Sequence, residues 1–305
     1  MIFQRSAWPL VLAAFTLLGS MAMAETEKTK THCIGRLLVE VPEEFEVLRH
    51  DGTVRETRIE RIGPGTERDA ERLYEERVRA LRDGEVTIDT VKMLYRDVGR
   101  IGALRTVSML IDWTDGGFQP QEPWREETYV SSEGTIFHLE TSMDNGNADA
   151  ARSDIQAVAD AIHPRTAGDM PAGEGTCLEN SFFALAPGNE QIGATFVHAT
   201  ERAILLRVST SVRDPGNGTL DFSAIQGTDG EPVRIAGLEG KELRLWDGPI
   251  NLSAIVGQQP GLDRPGYKVT LEYSDSRKDA ASPPYTREEA RSSWESFTGS
   301  IQVKK

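Results

Sequence analysis

The strongest constraint on this chain is that its two halves follow one plan. Cys33-Ile34-Gly35-Arg36-Leu37-Leu38-Val39-Glu40-Val41-Pro42 is a cysteine, a short strand-like run and a proline. Cys177 to Pro187 repeats that plan with one extra residue. Three further echoes follow in the same order: Arg100-Ile101-Gly102-Ala103-Leu104 with Arg234-Ile235-Ala236-Gly237-Leu238, Phe137 to Ser142 with Val269 to Ser274, and Ala151-Arg152-Ser153 with Ala290-Arg291-Ser292. The Gly- and Pro-rich stretch 167–176 separates the halves and reads as a linker. The expected organisation is therefore one domain over 33–166 and a second over 177–305, each of ordinary domain size.

Within each half, strands outnumber helices. Ile101 to Trp113 and Ala203 to Val212 are rich in β-branched and aliphatic residues. His50-Asp51-Gly52-Thr53 carries the Asp-Gly signal of a tight hairpin. A helix is predicted over 67–82, where Ala70, Leu73, Tyr74, Val78 and Leu81 fall on one face and Gly84 ends it. A second is predicted over 148–162, with Asp149 at its start and Ile155, Val158, Ala159 and Ile162 buried. A third begins near Thr286 and buries Trp294, Phe297 and Ile301. The fold class that follows is α+β: two similar tandem domains, each a mainly antiparallel sheet with a packed helix.

The first 24 residues read as an address. Arg5 is followed by an uncharged apolar run over 8–23, and Ala22-Met23-Ala24 supplies the small residues of a cleavage site between Ala24 and Glu25. No later run approaches membrane length, so the mature chain is expected to be exported without stable membrane insertion. Acidic residues outnumber basic ones by 48 to 34, a formal charge of −14, which argues against a nucleic-acid partner.

A search for chemistry returns little. The histidines His32, His50, His138, His163 and His198 show no zinc spacing, and HExxH, GxSxG, GxxxxGK[ST] and GxGxxG are missing. No catalytic residue, metal site or cofactor is therefore predicted. His138 reads as a partly exposed strand histidine on the face opposite Phe137 and Leu139. The oxygen-rich run 145–149 departs from a calcium loop at Ala150 and Gln156, and reads better as a turn before a helix. Adjacent acids such as Glu126-Glu127 read as solvated surface charge. Cys33 and Cys177 hold equivalent places, and in an exported protein this favours a disulfide between the halves. The alternative is two separate buried thiols. Two aromatic-acidic turns supply candidate partner contacts: Trp113, Phe118 and Trp124 in the first half, Trp246 and Asp247 in the second.

At Cys33-Ile34-Gly35-Arg36 through Val41-Pro42, following a signal peptide, the chain resembles a family of type VI secretion immunity proteins that partner antibacterial phospholipase effectors. The resemblance extends to the unit at Cys177 and to the terminal helix with Trp294. It departs at Asn180-Ser181, where an echo of Gly35-Arg36 is expected. The resemblance implies a periplasmic protein without catalytic apparatus whose partner is a cognate lipase effector, inhibited by occlusion or by a held lid. A periplasmic binding or assembly protein with another ligand is the alternative reading, and a hydrolase with an unfamiliar site a more distant one.

Overall fold

The computed structural model describes residues 28–88, 91–111, 124–166, 168–215, 219–222, 230–246, 249–277 and 286–304. In the first half these form β1 (Thr29–Ile34), β2 (Leu37–Pro42), β3 (Phe45–Val54), β4 (Thr57–Pro64), α1 (Glu67–Arg82), β5 (Thr87–Ile88), β6 (Val91–Ile101), β7 (Leu104–Ile111), β8 (Trp124–Ser132), β9 (Thr135–Met143), α2 (Ala148–Ala161) and β10 (Ile162–Pro164). In the second they form β11 (Thr176–Leu178), β12 (Ser181–Phe183), β13 (Glu190–His198), β14 (Ile204–Arg213), β15 (Glu231–Ile235), β16 (Leu238–Leu245), β17 (Ile250–Gln258), β18 (Gly266–Asp275), α3 (Arg287–Ser300) and β19 (Gln302–Val303).

The helices form over the predicted stretches, and two of them start in capping boxes. Thr66 and Asp69 close a reciprocal capping box on α1, and Thr286 and Glu289 do the same for α3. Gly84, at φ +72°, ends α1. The N-cap position of α2 is Asn147, whose side-chain oxygen accepts the amide of Asp144 at 2.7 Å, while Asp144 accepts those of Gly146 and Asn147. The run 145–149 is thus a turn leading into a helix, with Asp149 a first-turn acid.

The main sheet has thirteen strands in the order β15-β16-β17-β18-β14-β13-β3-β4-β9-β8-β7-β6-β5, and the pairings in it are antiparallel. It passes from one half to the other where β3 lies against β13, from Val54↔Glu190 to Phe45↔His198. One large apolar cluster draws on both halves: Ile34, Phe137 and Leu139 share it with Phe196, Leu271 and Trp294. Two small sheets lie beside the main one. In each, a strand from the end of one half joins strands from the start of the other: β10 pairs β12, and β19 pairs β2. Cys33 and Cys177 are disulfide-bonded, and Gly35 and Cys177 exchange both main-chain hydrogen bonds, at 2.9 and 2.8 Å. Arg36 adds a buried ion pair with Glu190 at 2.6 Å. Burial pushes the Glu190 carboxyl upward, against the lowering pull of Arg36.

The hairpin expected at Asp51-Gly52 is corrected. Both residues lie inside β3, and the chain reverses at Arg55 and Glu56, which take φ +48° and +60°. Gly52 serves close approach instead. A Cβ there would stand 2.1 Å from the Gln191 carbonyl on β13, so the smallest residue is required where the two halves meet.

Helices cover both faces of the first half. Tyr74 and Leu81 of α1 pack with Met93, Val107 and Met109. Ile155 and Val158 of α2 lie in the large cluster with Phe137 and Leu139. Because side chains alternate along β9, His138 points to the α1 face. Among the described residues, no helix is long and apolar enough to cross a membrane.

Candidate functional site

On the α1 face, β8 and β9 place Glu127 opposite Glu140 and Tyr129 opposite His138. Arg77 of α1 reaches down and grips Glu127 with two hydrogen bonds, both 2.7 Å. His138 stacks on Tyr129 with ring centroids 4.9 Å apart, and its nitrogens lie 3.5 Å from Glu127 and 3.6 Å from Glu60. Arg125 pairs with Glu140 at 2.7 Å. Burial alone would push the Glu127 carboxyl up, but His138 and Arg77 together hold it below the usual carboxylate range. Burial, reinforced by the Glu127 charge, pushes the Tyr129 phenol up to about 12.

Ligand atoms of Glu127, His138 and Glu140 lie within 4.8 Å of one another, close enough for a cation. Each carboxylate is already matched by a guanidinium, Arg77 on Glu127 and Arg125 on Glu140. The cluster is therefore balanced in charge by the protein's own groups, and its arrangement is that of a packed ion network.

The cluster opens into a cavity of about 300 Å³ that Arg58 and Glu60 also line. These two residues are shared with a larger furrow, about 810 Å³, across β4, β3, β13 and β14. Asp51, Thr53, Thr195, Gly193, Arg207 and Ser209 supply much of its wall. The result is a polar, mixed-charge trough along the line where the halves meet. His50 also borders it, but its Nδ1 accepts the Glu179 amide at 3.1 Å. Burial, then the nearby Arg165 and His32, hold its pKa down to about 4. His50 is thus a neutral structural acceptor at ordinary pH. Such a trough is suited to binding a protein surface.

The candidate contact residues fare differently. Trp124 is 5% exposed, with the Arg96 guanidinium 3.9 Å above its ring, so it is a packed residue at the start of β8 and not the exposed anchor expected. The physical reason is that the strand, and not the preceding turn, owns this side chain. Trp246 is half-buried against the large core cluster. Trp113, Phe118 and Asp247, like Ala24 and Glu25, lie outside the described residues. The reading of Glu126-Glu127 as surface charge is overturned: they are 2% and 0% exposed. On a strand covered from both sides, neighbours point to opposite faces. Glu126 accepts Thr106 at 2.6 Å beside Arg152 of α2, while Glu127 meets Arg77 of α1. Arg58, Glu60, Arg77 and Tyr129 were not singled out by the sequence, because only long-range pairing gathers them.

Residues 30–170 match the family model described as the Tle cognate immunity protein 4 N-terminal domain. No curated protein sequence matches the chain. The fold is shared with solved structures. One is a crystal structure of a Tle4–Tli4 complex, with a TM-score of 0.64 and 17% identity over 90% of this chain and 97% of that one. Another is the apo immunity protein TplEi of the T6SS from Pseudomonas aeruginosa, with a TM-score of 0.63 and 17% identity over 90% and 97%. A third is TplEi complexed with an "L" peptide, with a TM-score of 0.61 and 18% identity over 90% and 98%.

Proposed function

We propose that this chain, whose residues 30–170 belong to the Tle cognate immunity protein 4 N-terminal domain family, is an immunity protein that binds and inhibits a cognate T6SS phospholipase effector. The reading rests on likeness of fold to the Tli4 and TplEi immunity proteins across 90% of the chain. The leader over residues 1–24 would send the protein to the periplasm, with Glu25 as the first mature residue. Inhibition is by occlusion: the mixed-charge trough takes part of the lipase surface and blocks lipid access. The protein performs no chemistry of its own and needs no cofactor.

The organisation proposed is of two tandem related units, 33–166 and 177–305, joined by 167–176. In its support, the main sheet runs outward from its middle in the same sequence on each side: β3, β4, β9, β8, β7, β6 one way and β13, β14, β18, β17, β16, β15 the other. The four sequence echoes fall on matching elements: β1–β2 and β11–β12, the β6–β7 and β15–β16 turns, β9 and β18, α2 and α3.

The test is co-expression with a candidate cognate T6SS phospholipase effector. The purified chain should co-elute with that lipase and abolish its phospholipase activity, and periplasmic expression should rescue cells from the toxin. Stable co-elution without loss of activity would remove occlusion. Failure to bind the lipase would favour a periplasmic protein with another ligand.

A further inference from the structure

The two central hairpins of the main sheet occupy corresponding places but are closed to different extents. β13 and β14 are zipped along eight residue pairs, from Glu190↔Val212 to Val197↔Leu205. β3 and β4 pair only at Thr53↔Arg58 and Val54↔Thr57. Beyond that point β4 turns away along β9, from Arg58↔Glu140 to Pro64↔Thr135, while β3 follows β13. Between them lies a wedge whose two sides are strand edges. No described strand pairs with either edge inside it.

The two-residue turn fixes which main-chain groups face the wedge. Val54 and Thr57 close the hairpin, and the Thr53↔Arg58 pair places the Ile59 N–H against the Gly52 carbonyl; beyond that bond the inward-facing groups are the Gly52 N–H and those of His50 on β3, and the Ile59 carbonyl and those of Arg61 on β4. The side chains are equally open. Glu46, Val47, Leu48 and Arg49 are all exposed in succession, with Val47 at 50% and Leu48 at 54%, and Ile62 across the wedge is 45% exposed. A finished strand in the middle of a sheet does not leave apolar residues in water on consecutive positions.

We propose that this wedge receives an extended segment of the partner lipase, which pairs with the free edges of β3 and β4 and completes the sheet. The inference rests on the proposed function and specifies how the partner is held. Main-chain pairing supplies the affinity, and side-chain chemistry supplies the choice. Val47, Leu48 and Ile62 call for apolar residues in the segment. Arg58 and Arg61 carry no ion pair among the described residues of a chain whose net charge is −14, and they call for carboxylates between those apolar residues. Arg58 also borders the trough, so the wedge continues the surface assigned to the lipase.

Amide hydrogen exchange followed by NMR, on the full chain free and in complex with its cognate T6SS phospholipase effector, tests this. The amides of Gly52, His50 and Arg61 are expected to exchange readily in the free protein and to slow by about a hundredfold or more in the complex. The double variant Arg58→Glu, Arg61→Glu should keep its circular dichroism spectrum and bind the lipase at least about tenfold more weakly. A complex that leaves those three amides unprotected overturns strand addition and leaves the immunity reading standing. Absence of any complex overturns both.

Discussion

Replacing Trp294 tests whether α3 is held by packing or by its buried polar contact. The side chain is 1% exposed, lies beside Phe297 at a ring-centroid distance of 6.1 Å, and donates its indole N–H to Glu242. Truncation to alanine removes a whole ring from the large core cluster, and such changes cost about 3–5 kcal/mol. Trp294→Phe keeps most of the apolar contact but removes the donor. Glu242 is 7% exposed and retains Arg244 at 2.9 Å, so the loss should be about 1–2 kcal/mol. Urea unfolding followed by far-ultraviolet circular dichroism reads both. The expected order of midpoints is wild type, then Trp294→Phe, then Trp294→Ala, with unchanged slope. Because the cluster contains residues of both halves, the alanine variant should still unfold in one transition. Equal losses in the two variants would refute the partition between ring burial and hydrogen bond. An alanine midpoint within error of wild type would refute the burial argument itself.

Other consequences are equally open to measurement. His50 has a folded-state pKa of about 4 against an ordinary 6.5, so between those values the unfolded chain binds a proton that the folded one refuses. Stability should be full above pH 6.5 and fall by roughly 3 kcal/mol by pH 4, and His50→Gln should flatten that part of the profile. The bond between Cys33 and Cys177 spans 144 residues, and chain entropy gives it up to about 5 kcal/mol. The double serine variant should fold with a lower guanidinium midpoint, and thiol labelling of the denatured, unreduced wild type should find no free sulfhydryl. Arg36→Met leaves the buried Glu190 carboxylate without its partner and should cost about 3–5 kcal/mol by chemical denaturation. Phe118→Ala should weaken lipase binding at unchanged melting temperature, whereas Trp124→Ala, at a buried position, should lower the melting temperature. The opposite pattern would exchange their roles.

The sequence by itself determined what local interactions decide. Thr66 with Asp69 and Thr286 with Glu289 set helix starts within one turn of chain. The apolar spacing of Tyr74, Leu81, Ile155, Val158, Trp294 and Phe297 chose the buried faces. These elements were legible because helical periodicity relates residues three or four apart. Strand existence was legible for β7 and β14 from their β-branched and aliphatic composition. The candidate surface was not. Asp51-Gly52 has the composition of a turn, yet tertiary pairing overrode it, since a glycine is also what lets β3 approach β13. Glu126-Glu127 has the composition of a solvated surface, yet Thr106 of the neighbouring β7 and Arg152 of α2 meet one carboxylate on one face, and Arg77 of α1 meets the other on the opposite face. The assembly of thirteen strands, the exchange of β10 and β19 between the halves, and the wedge between β3 and β4 depend on contacts between residues far apart in the chain. Their free energy exists only once both strands are in place. Only the tertiary structure could decide them.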